Sequence, residues 1–317
     1  MVDVTNLPKY RDLPLFEGRD ERHAWDVFGK DDDLGTVNLL TPDGVREAAK
    51  LVRRGDSFNL DLTLDLPLRA PVIEGGAGRG PYIHKPTRHR GGGDDSLDNF
   101  YLQGSSQWDS LRHIRYRELG YYQGIQDEDL DATERLGINH WSEHGIAGRG
   151  VLIDLPRYMG ASFKMDRIEM DGPMIEAIAA KQGVDLKPAD ILLLRTGWMT
   201  RYLSLSDEER AKPEAMDARA PSPGLDGKRE TAEWVWDHRI AAVAADNIAM
   251  EVTPVLDPSF QHRRLLAMFG MPIGELWYLD KLADDCAQDG VYEFFLVSKP
   301  LNLKRGVGSP PNVLAFK

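Results

Sequence analysis

The sequence predicts an α/β fold in which at least some strands pair in parallel. Continuous apolar runs, each short enough for one buried strand, occupy residues 151–155, 191–194 and 240–245. Helical patterns precede the last two runs, at residues 171–183 and 230–239. Buried strands that alternate with helices are typical of sheets whose faces are covered by helices.

The N-terminal part of the chain gives signals for an arm and one helix. Residues 1–24 are predicted to form an irregular arm, and the folded domain is expected to span residues 25–317. Thr41 followed by Pro42 marks a helix start, because a capping hydroxyl precedes a proline in the first turn. Apolar residues then recur at helical spacing until Gly55, which closes the segment.

Composition separates the remaining segments into strands and loops. Residues 58–64 alternate between apolar and polar side chains, which predicts a strand, and residues 292–297 predict a late strand. Residues 263–269 are predicted to be helical. Residues 70–98 are rich in glycine, proline and charge, which predicts a long loop of the kind that often serves as a lid or dimer arm. Residues 203–228 predict a second excursion of this kind.

Bulk properties exclude several classes of function. The formal net charge of −12 argues against nucleic-acid binding, and no apolar run is long enough to suggest a membrane span. The N-terminus lacks the basic and apolar regions of an export signal. The single cysteine, Cys286, is predicted to be a buried structural thiol, and a reducing compartment fits its lack of a partner. A cytoplasmic protein without membrane or nucleic-acid partners is therefore expected.

One short segment holds a dense set of side chains suited to catalysis. In an extended strand Gln103, Ser105, Gln107 and Asp109 would point to the same face, and His113 follows four residues later. Oxygen-bearing side chains next to an imidazole that can carry a proton form a possible hydrolytic site. The alternation alone fits a solvated sheet face equally well.

This segment resembles a variant of the signature His-x-Gly-Thr-His-x-Asp-x-x-x-His of the putative cyclase family. That family includes bacterial kynurenine formamidases and isatin hydrolase. Further blocks similar to the family occur in family order at residues 34–42, 148–154, 190–197, 241–247 and 262–275. The resemblance implies a single domain with a mixed, barrel-like sheet flanked by helices. It also implies hydrolysis of a small molecule and a homodimer or homotetramer.

The chain departs from the family signature at the two histidines that bind metal. Gln103 and Gln107 stand in their places, whereas Asp109 and His113 keep the family's residue types. Amide oxygens are hard, neutral ligands, so the altered set favours Mn²⁺, Mg²⁺ or Ca²⁺ more than a site rich in histidine would. An alternative is that the two amides donate hydrogen bonds to a substrate carbonyl and that no metal is present.

The resemblance extends to two residues near the C-terminus. His262 and Glu275 match the family's distal imidazole and carboxylate. The implied metal ligands are therefore Gln103, Gln107, Asp109, His262 and Glu275, with Mn²⁺ or Zn²⁺ as the expected ion. The predicted catalytic residues are His113, Asp109 and Glu275. Candidate residues of the substrate pocket are Trp25, Asn38 and His140.

The sequence thus predicts a hydrolase that opens an amide, lactam, lactone or ester bond of a small cyclic or aromatic molecule. Metal-bound water would attack the carbonyl, and His113 would act as general acid and base. One alternative is a metal-free hydrolase, lyase or cyclase in which Asp109 orients His113. Another is a catalytically inactive protein that binds a small molecule, which the loss of both family histidines would explain.

Overall fold

A computed structural model of the chain describes residues 6–68, 79–256 and 260–317. Its strands are β1 Ser57–Asn59, β2 Ile83–His89, β3 Gly92–Asp98, β4 Gln107–Asp109, β5 Ile146–Asp154, β6 Glu169–Met170, β7 Ile191–Arg195, β8 Gly224–Leu225, β9 Ala242–Ala245, β10 Ile273–Glu275, β11 Glu293–Ser298, β12 Gly308–Ser309 and β13 Val313–Phe316. Its α-helices are α1 Pro42–Ala49, α2 Asp127–Ala132, α3 Ile138–His144, α4 Leu155–Met159, α5 Gly172–Gln182, α6 Trp198–Ser204, α7 Asp207–Arg210, α8 Arg229–Asp237 and α9 Asp280–Asp289.

A mixed sheet organises the fold. Within the described residues it holds nine strands in the order β1-β13-β11-β5-β7-β9-β10-β4-β12 and curls into a half-barrel. Strands β5, β7, β9 and β10 pair in parallel, and the outer pairs are antiparallel. The prediction of an α/β fold with a mixed, barrel-like sheet is confirmed.

The central strands form where the apolar runs predicted them. Strand β5 is buried over its last five residues, and every residue of β7 and β9 is buried. The helix before β7 has the predicted caps: the Asp171 side chain accepts from the backbone of Met174, and Gly183 closes the helix in the left-handed conformation. Helix α8 also forms where it was predicted, before β9.

Two local predictions need correction. The predicted loop contains an antiparallel hairpin of β2 and β3, whose residues are all exposed. Residues 69–78 of that prediction lie outside the described residues. The two strands are joined by polar cross-strand pairs such as His84 with Asp95. Because both faces are exposed, the sequence lacks the alternation of apolar and polar residues that identifies a half-buried strand. The proposed role as a lid or dimer arm stays a prediction.

The other correction concerns the length of a strand. The predicted strand over residues 58–64 is short, because only Ser57–Asn59 pairs with β13. The prediction of a helix over residues 263–269 is confirmed, and Arg263–Phe269 is a π-helix. Residues 203–228 are irregular in part but include α7, a 3-10 turn at Pro213–Met216 and β8.

The predicted N-terminal arm packs against the rest of the chain where it is described. Tyr10, Leu13, Phe16 and Ala24 are buried in the main hydrophobic core. The boundary between arm and domain at residue 24 stays a prediction. Among the described residues, no helix is both long enough and apolar enough to cross a membrane.

Candidate functional site

Pairing of β4 with β10 brings together two segments that are far apart in the sequence. In this antiparallel pair Gln107 lies opposite Glu275, and Asp109 lies opposite Ile273. Directly opposite residues project to the same side of a sheet, so the side chains of Gln107 and Glu275 meet. Gln107 Nε2 donates a hydrogen bond of 2.6 Å to Glu275 Oε2.

Asp109 lies at the centre of this arrangement and is completely buried. Its Oδ1 accepts hydrogen bonds from Gln103 Nε2 and, at 3.5 Å, from Gln107 Nε2. In the part of the chain that the structure describes, its Oδ2 has no hydrogen-bond partner, although it lies 3.8 Å from His113 Nε2 and 3.5 Å from His262 Nε2. A buried carboxylate oxygen that faces two imidazoles without a hydrogen bond leaves room for a ligand or ion.

His262 is held on both sides by carboxylates. Its Nε2 lies 3.0 Å from Glu275 Oε1, and its Nδ1 lies 2.8 Å from Glu251 Oε1. Glu251 Oε1 also accepts a 2.6 Å hydrogen bond from the backbone nitrogen of His262. Since the backbone nitrogen must donate, Glu251 is fixed as an acceptor and favours a proton on Nδ1. The other ring nitrogen, Nε2, then faces Asp109 and Glu275.

The buried charges shift one another's pKa values. Burial alone would raise the pKa of Asp109, but the imidazoles of His113 and His262 hold that pKa below its ordinary value. Burial, together with the negative charge of Asp109, raises the pKa of Glu275. Burial lowers the pKa of His113. Burial would do the same to His262, but Glu251 and the other two carboxylates raise the pKa of His262 well above its ordinary value.

We call Gln103, Gln107, Asp109, His113, His262 and Glu275 the Asp109 cluster. The structure brings all six predicted residues together. Both glutamines, however, turn their amide nitrogens toward carboxylates, and Gln107 Oε1 lies 3.4 Å from Nη1 of Arg79, from which it accepts a hydrogen bond. This orientation differs from the oxygen-ligand role predicted for the glutamines, which stays a prediction.

Three members of the cluster could hold a metal ion. Ligand atoms of Asp109, His113 and His262 all lie within 4.8 Å of one another. The unpartnered Asp109 Oδ2 is one of the oxygens that such an ion would satisfy. The Glu251 carboxylate behind His262 provides the outer hydrogen bond that usually orients a metal-binding imidazole. Nitrogen and oxygen donors of this kind fit Zn²⁺ or Mn²⁺.

Glu251 and Arg79 take part in the site but were missed in the sequence. Glu251 is almost completely buried and follows β9 in an irregular segment. Arg79 is half-buried and stands alone among glycine and proline residues. Neither lies in a periodic element or a motif, so no sequence signal pointed to them.

The three predicted pocket residues make their contacts elsewhere. His140 Nε2 lies 3.0 Å from the carbonyl oxygen of Glu134, and Trp25 donates to the carbonyl oxygen of Ala267 at 2.8 Å. Asn38 donates to Asp32 and Gly35. These contacts do not include the Asp109 cluster, so the structure gives these residues a place in local packing.

Two buried side chains outside the Asp109 cluster, Asp246 and Cys286, have contacts or properties that suit a structural role. Asp246, at the end of β9, accepts hydrogen bonds from the backbone and hydroxyl of Thr196 and from the backbone of Gly197. Cys286 is completely buried, and burial raises the pKa of its thiol to about 12. A thiol with that pKa is a poor nucleophile, which agrees with the predicted structural role.

The chain is similar to one protein family and to several solved structures. The model of a family described as "Putative cyclase" matches residues 60–252. A crystal structure described as a novel cyclase is 35% identical, with a TM-score of 0.81 over 93% of this chain and 99% of that chain. No curated protein matches the chain.

Isatin hydrolases share the fold at lower identity. One, bound to the product analogue thioisatinate, is 16% identical, with a TM-score of 0.58 over 88% of this chain and 97% of that chain. Isatin hydrolase A from Labrenzia aggregata, bound to benzyl benzoate, is 17% identical, with a TM-score of 0.57 over 84% of this chain and 94% of that chain.

Proposed function

Because this chain belongs to the putative cyclase family, we propose that it is a hydrolase of small cyclic or aromatic molecules. The bond opened would be an amide, lactam, lactone or ester bond. The observation that carries the proposal is the buried Asp109 Oδ2, which has no hydrogen-bond partner among the described residues and faces two imidazoles. Burial of a carboxylate oxygen without a hydrogen bond is costly, so its presence in a cluster of titratable groups favours a chemical role.

Of the three residues whose ligand atoms lie together, Asp109 and His262 would hold a divalent ion, either Mn²⁺ or Zn²⁺, and His113 would serve in proton transfer. Glu275, whose Oε1 lies 3.0 Å from His262 Nε2, would be the third ligand. When bound, such an ion supplies positive charge that activates water and polarises a carbonyl group. Glu251 keeps His262 oriented toward Asp109. Gln103 and Gln107 hold Asp109 and Glu275 through their amide nitrogens. These contacts fix the acidic groups before substrate arrives.

His113 is assigned to proton transfer. Its pKa lies below the ordinary value because it is buried, so the imidazole is neutral at pH 7 and can accept a proton. It would take a proton from the attacking water and deliver it to the leaving nitrogen or oxygen. The carbonyl carbon gains the water oxygen, the bond to the leaving atom breaks, and a carboxylic acid is released.

The test is turnover of a small substrate panel by chelated protein and by protein resupplied with Mn²⁺ or Zn²⁺. The panel contains an aryl formamide, isatin, an aryl ester and an aromatic lactone. We expect loss of turnover on chelation, recovery with metal, and a drop of at least about 100-fold in kcat/KM for Asp109→Asn. Asp94→Asn, on the exposed hairpin, is the matched control. Failure to turn over any substrate, with either metal, would contradict a hydrolase.

A metal-free hydrolase, lyase or cyclase is the second candidate. Glu251, Glu275 and Asp109 raise the pKa of His262, so a protonated His262 would itself supply positive charge beside Asp109. Asp109 would orient His113, and the glutamine amides would donate to a developing oxyanion. Full activity after chelation, with no bound metal by elemental analysis, would favour this candidate over the first.

A further inference from the structure

Arg79 is a half-buried cation at the edge of the Asp109 cluster. Its Nη1 donates to the carbonyl oxygen of Gln103 at 2.6 Å and to Gln107 Oε1 at 3.4 Å. These contacts hold the guanidinium beside the segment that carries both glutamines. Burial sets the pKa of His113 below its ordinary value, and the charge of Arg79 lowers that pKa further. Arg79 is therefore close enough to act electrostatically on the site.

Arg79 makes no ion pair with a carboxylate in the part of the chain that the structure describes, and its contacts there use Nη1 alone. Three other arginines use more of their N–H groups. Arg149 binds Asp190 in a two-oxygen contact at 2.8 Å, and Arg195 binds Asp154 at 2.9 Å. The buried Arg112 has only backbone carbonyls as partners, but it donates to three of them from both terminal nitrogens. A guanidinium beside the Asp109 cluster whose contacts with the described residues involve Nη1 alone can bind an external anion with its remaining N–H groups.

We propose that Arg79 binds a carboxylate of the reacting molecule, a proposal that rests on the hydrolytic function proposed for the site. The guanidinium presents planar N–H groups that match the two oxygens of a carboxylate. The carboxylate has two possible sources. It is either an acid group already carried by the substrate or the group that hydrolysis creates from the scissile carbonyl.

A cavity beside Arg79 indicates what the rest of the ligand is. The cavity has a volume of about 360 Å³, and Gly80, the residue after Arg79, lines it. Tyr82, Phe100 and Tyr101 contribute aromatic rings to the same lining. Aromatic walls bury a flat apolar ring well. The lining includes the residues that follow Arg79 and Gln103 in the chain, Gly80 and Gly104, but not Arg79 itself. The ligand class that we propose is an aromatic carboxylate whose ring lies in the cavity and whose charge extends to Arg79.

Binding of benzoate and of neutral benzamide to chelated protein, measured by calorimetry, tests this assignment without turnover. Wild type should bind benzoate at least about tenfold more tightly than benzamide, because a charge-assisted pair contributes about 1.5–3 kcal/mol. Arg79→Met should remove that preference, and Arg79→Lys should keep part of it. Arg88→Met removes the same charge from the exposed hairpin and should change nothing. Thermal unfolding of each variant checks that it is folded.

Equal preference for benzoate in wild type and Arg79→Met, or no preference in wild type, would overturn the assignment. These binding measurements do not depend on turnover of a substrate. They therefore test the role of Arg79 separately from the proposed hydrolytic activity.

Steady-state kinetics with two substrates distinguish the two sources. N-formylanthranilate already carries a carboxylate, whereas isatin is a neutral lactam whose scissile carbonyl becomes the carboxylate of an aromatic product. If the substrate carries the carboxylate, Arg79→Met raises KM by about tenfold or more for N-formylanthranilate alone. If hydrolysis creates it, Arg79→Met leaves both KM values unchanged and weakens inhibition by isatinate, the product of isatin. If Arg79→Met changes neither a KM value nor the inhibition by product, both forms of the proposal are contradicted.

Discussion

Glu251 acts on the proposed chemistry through a neighbouring side chain. One of its oxygens accepts from both the backbone nitrogen and the ring Nδ1 of His262. The carboxylate is buried and holds the imidazole in the orientation in which Nε2 faces Asp109. Outer hydrogen bonds of this kind commonly determine how well an imidazole binds a metal.

We predict that Glu251→Gln weakens binding of Mn²⁺ by about 10–100-fold while the protein stays folded. Glutamine keeps an acceptor near Nδ1 but removes the negative charge that stabilises the orientation of the ring. Calorimetric titration with metal measures the change, and circular dichroism checks the fold. Glu47→Gln removes the same charge from exposed helix α1 and serves as control. Unchanged metal affinity in Glu251→Gln would show that Glu251 has only a packing role.

The sequence identified the reactive residues better than the residues that support them. Asp109 and His113 fall in one recognisable segment, and the alternation of a strand was enough to place Gln107 near Asp109. Glu251 and Arg79 come from irregular segments, where side-chain direction depends on tertiary contacts. Neither periodicity nor spacing could therefore place them beside the cluster.

At the scale of elements, the site depends on how closely β10 approaches its neighbours. Gly274 is the central residue of β10 and pairs with Trp108 in β4 and Ala244 in β9. A Cβ atom at Gly274 would lie 2.6 Å from the Cβ of Ala244 and 2.8 Å from Nε1 of Trp277. Such distances are too short for real contacts, so a side chain here must displace a strand.

We predict that Gly274→Ala lowers stability by about 1–3 kcal/mol and lowers kcat/KM, because the shift of β10 moves Glu275 away from His262. Urea unfolding and steady-state kinetics measure the two effects. Gly44→Ala in α1 is the control, since a Cβ there would lie at an ordinary 3.5 Å from Thr41 Oγ1. A Gly274→Ala protein with wild-type stability would mean that β9 and β10 are not packed as described.

Elements were predicted well where burial gave a simple pattern. The continuous apolar runs at β7 and β9 leave no alternative to a fully buried strand. The hairpin of β2 and β3 carries no such pattern, because all its residues are exposed. The helix after His262 was predicted without its type, because side-chain type does not distinguish a π-helix from an α-helix.

At the scale of the molecule, one half-buried carboxylate links the N-terminal and C-terminal parts of the sheet. Asp61 follows β1, and its Oδ2 accepts a 3.0 Å hydrogen bond from the backbone of Val313 in β13. Its Oδ1 is buried without a partner among the described residues. Burial raises the pKa of Asp61 to about 6.

The raised pKa of Asp61 predicts how stability changes with pH. The folded-state pKa of about 6 lies above the unfolded value of about 3.9, so the folded protein holds this proton more tightly. The stabilisation from Asp61 is complete below pH of about 4 and is lost as pH rises through 6. Asp61→Asn never carries the charge. Its stability relative to wild type should therefore increase by about 1–2 kcal/mol between pH 4 and pH 7.

Urea unfolding of wild type and Asp61→Asn at several pH values measures this difference. The exposed Asp131→Asn variant controls for the loss of one surface charge. A difference between Asp61→Asn and wild type that does not change with pH would show that Asp61 is ionised as readily in the folded protein as in the unfolded chain.

The pairing of β4 with β10 also has a consequence for biosynthesis. Gln107 leaves the ribosome 168 residues before Glu275, the residue to which it donates. Parallel and long-range strand pairs close large loops and form slowly. During translation the carboxylate at position 109 therefore lacks its later neighbours, His262 and Glu275, until the chain has been made through position 275. Fragments that end before β10 would contain only part of the Asp109 cluster and would expose the edge of β4 that pairs with β10. Exposed strand edges of this kind are bound by chaperones and cut by proteases.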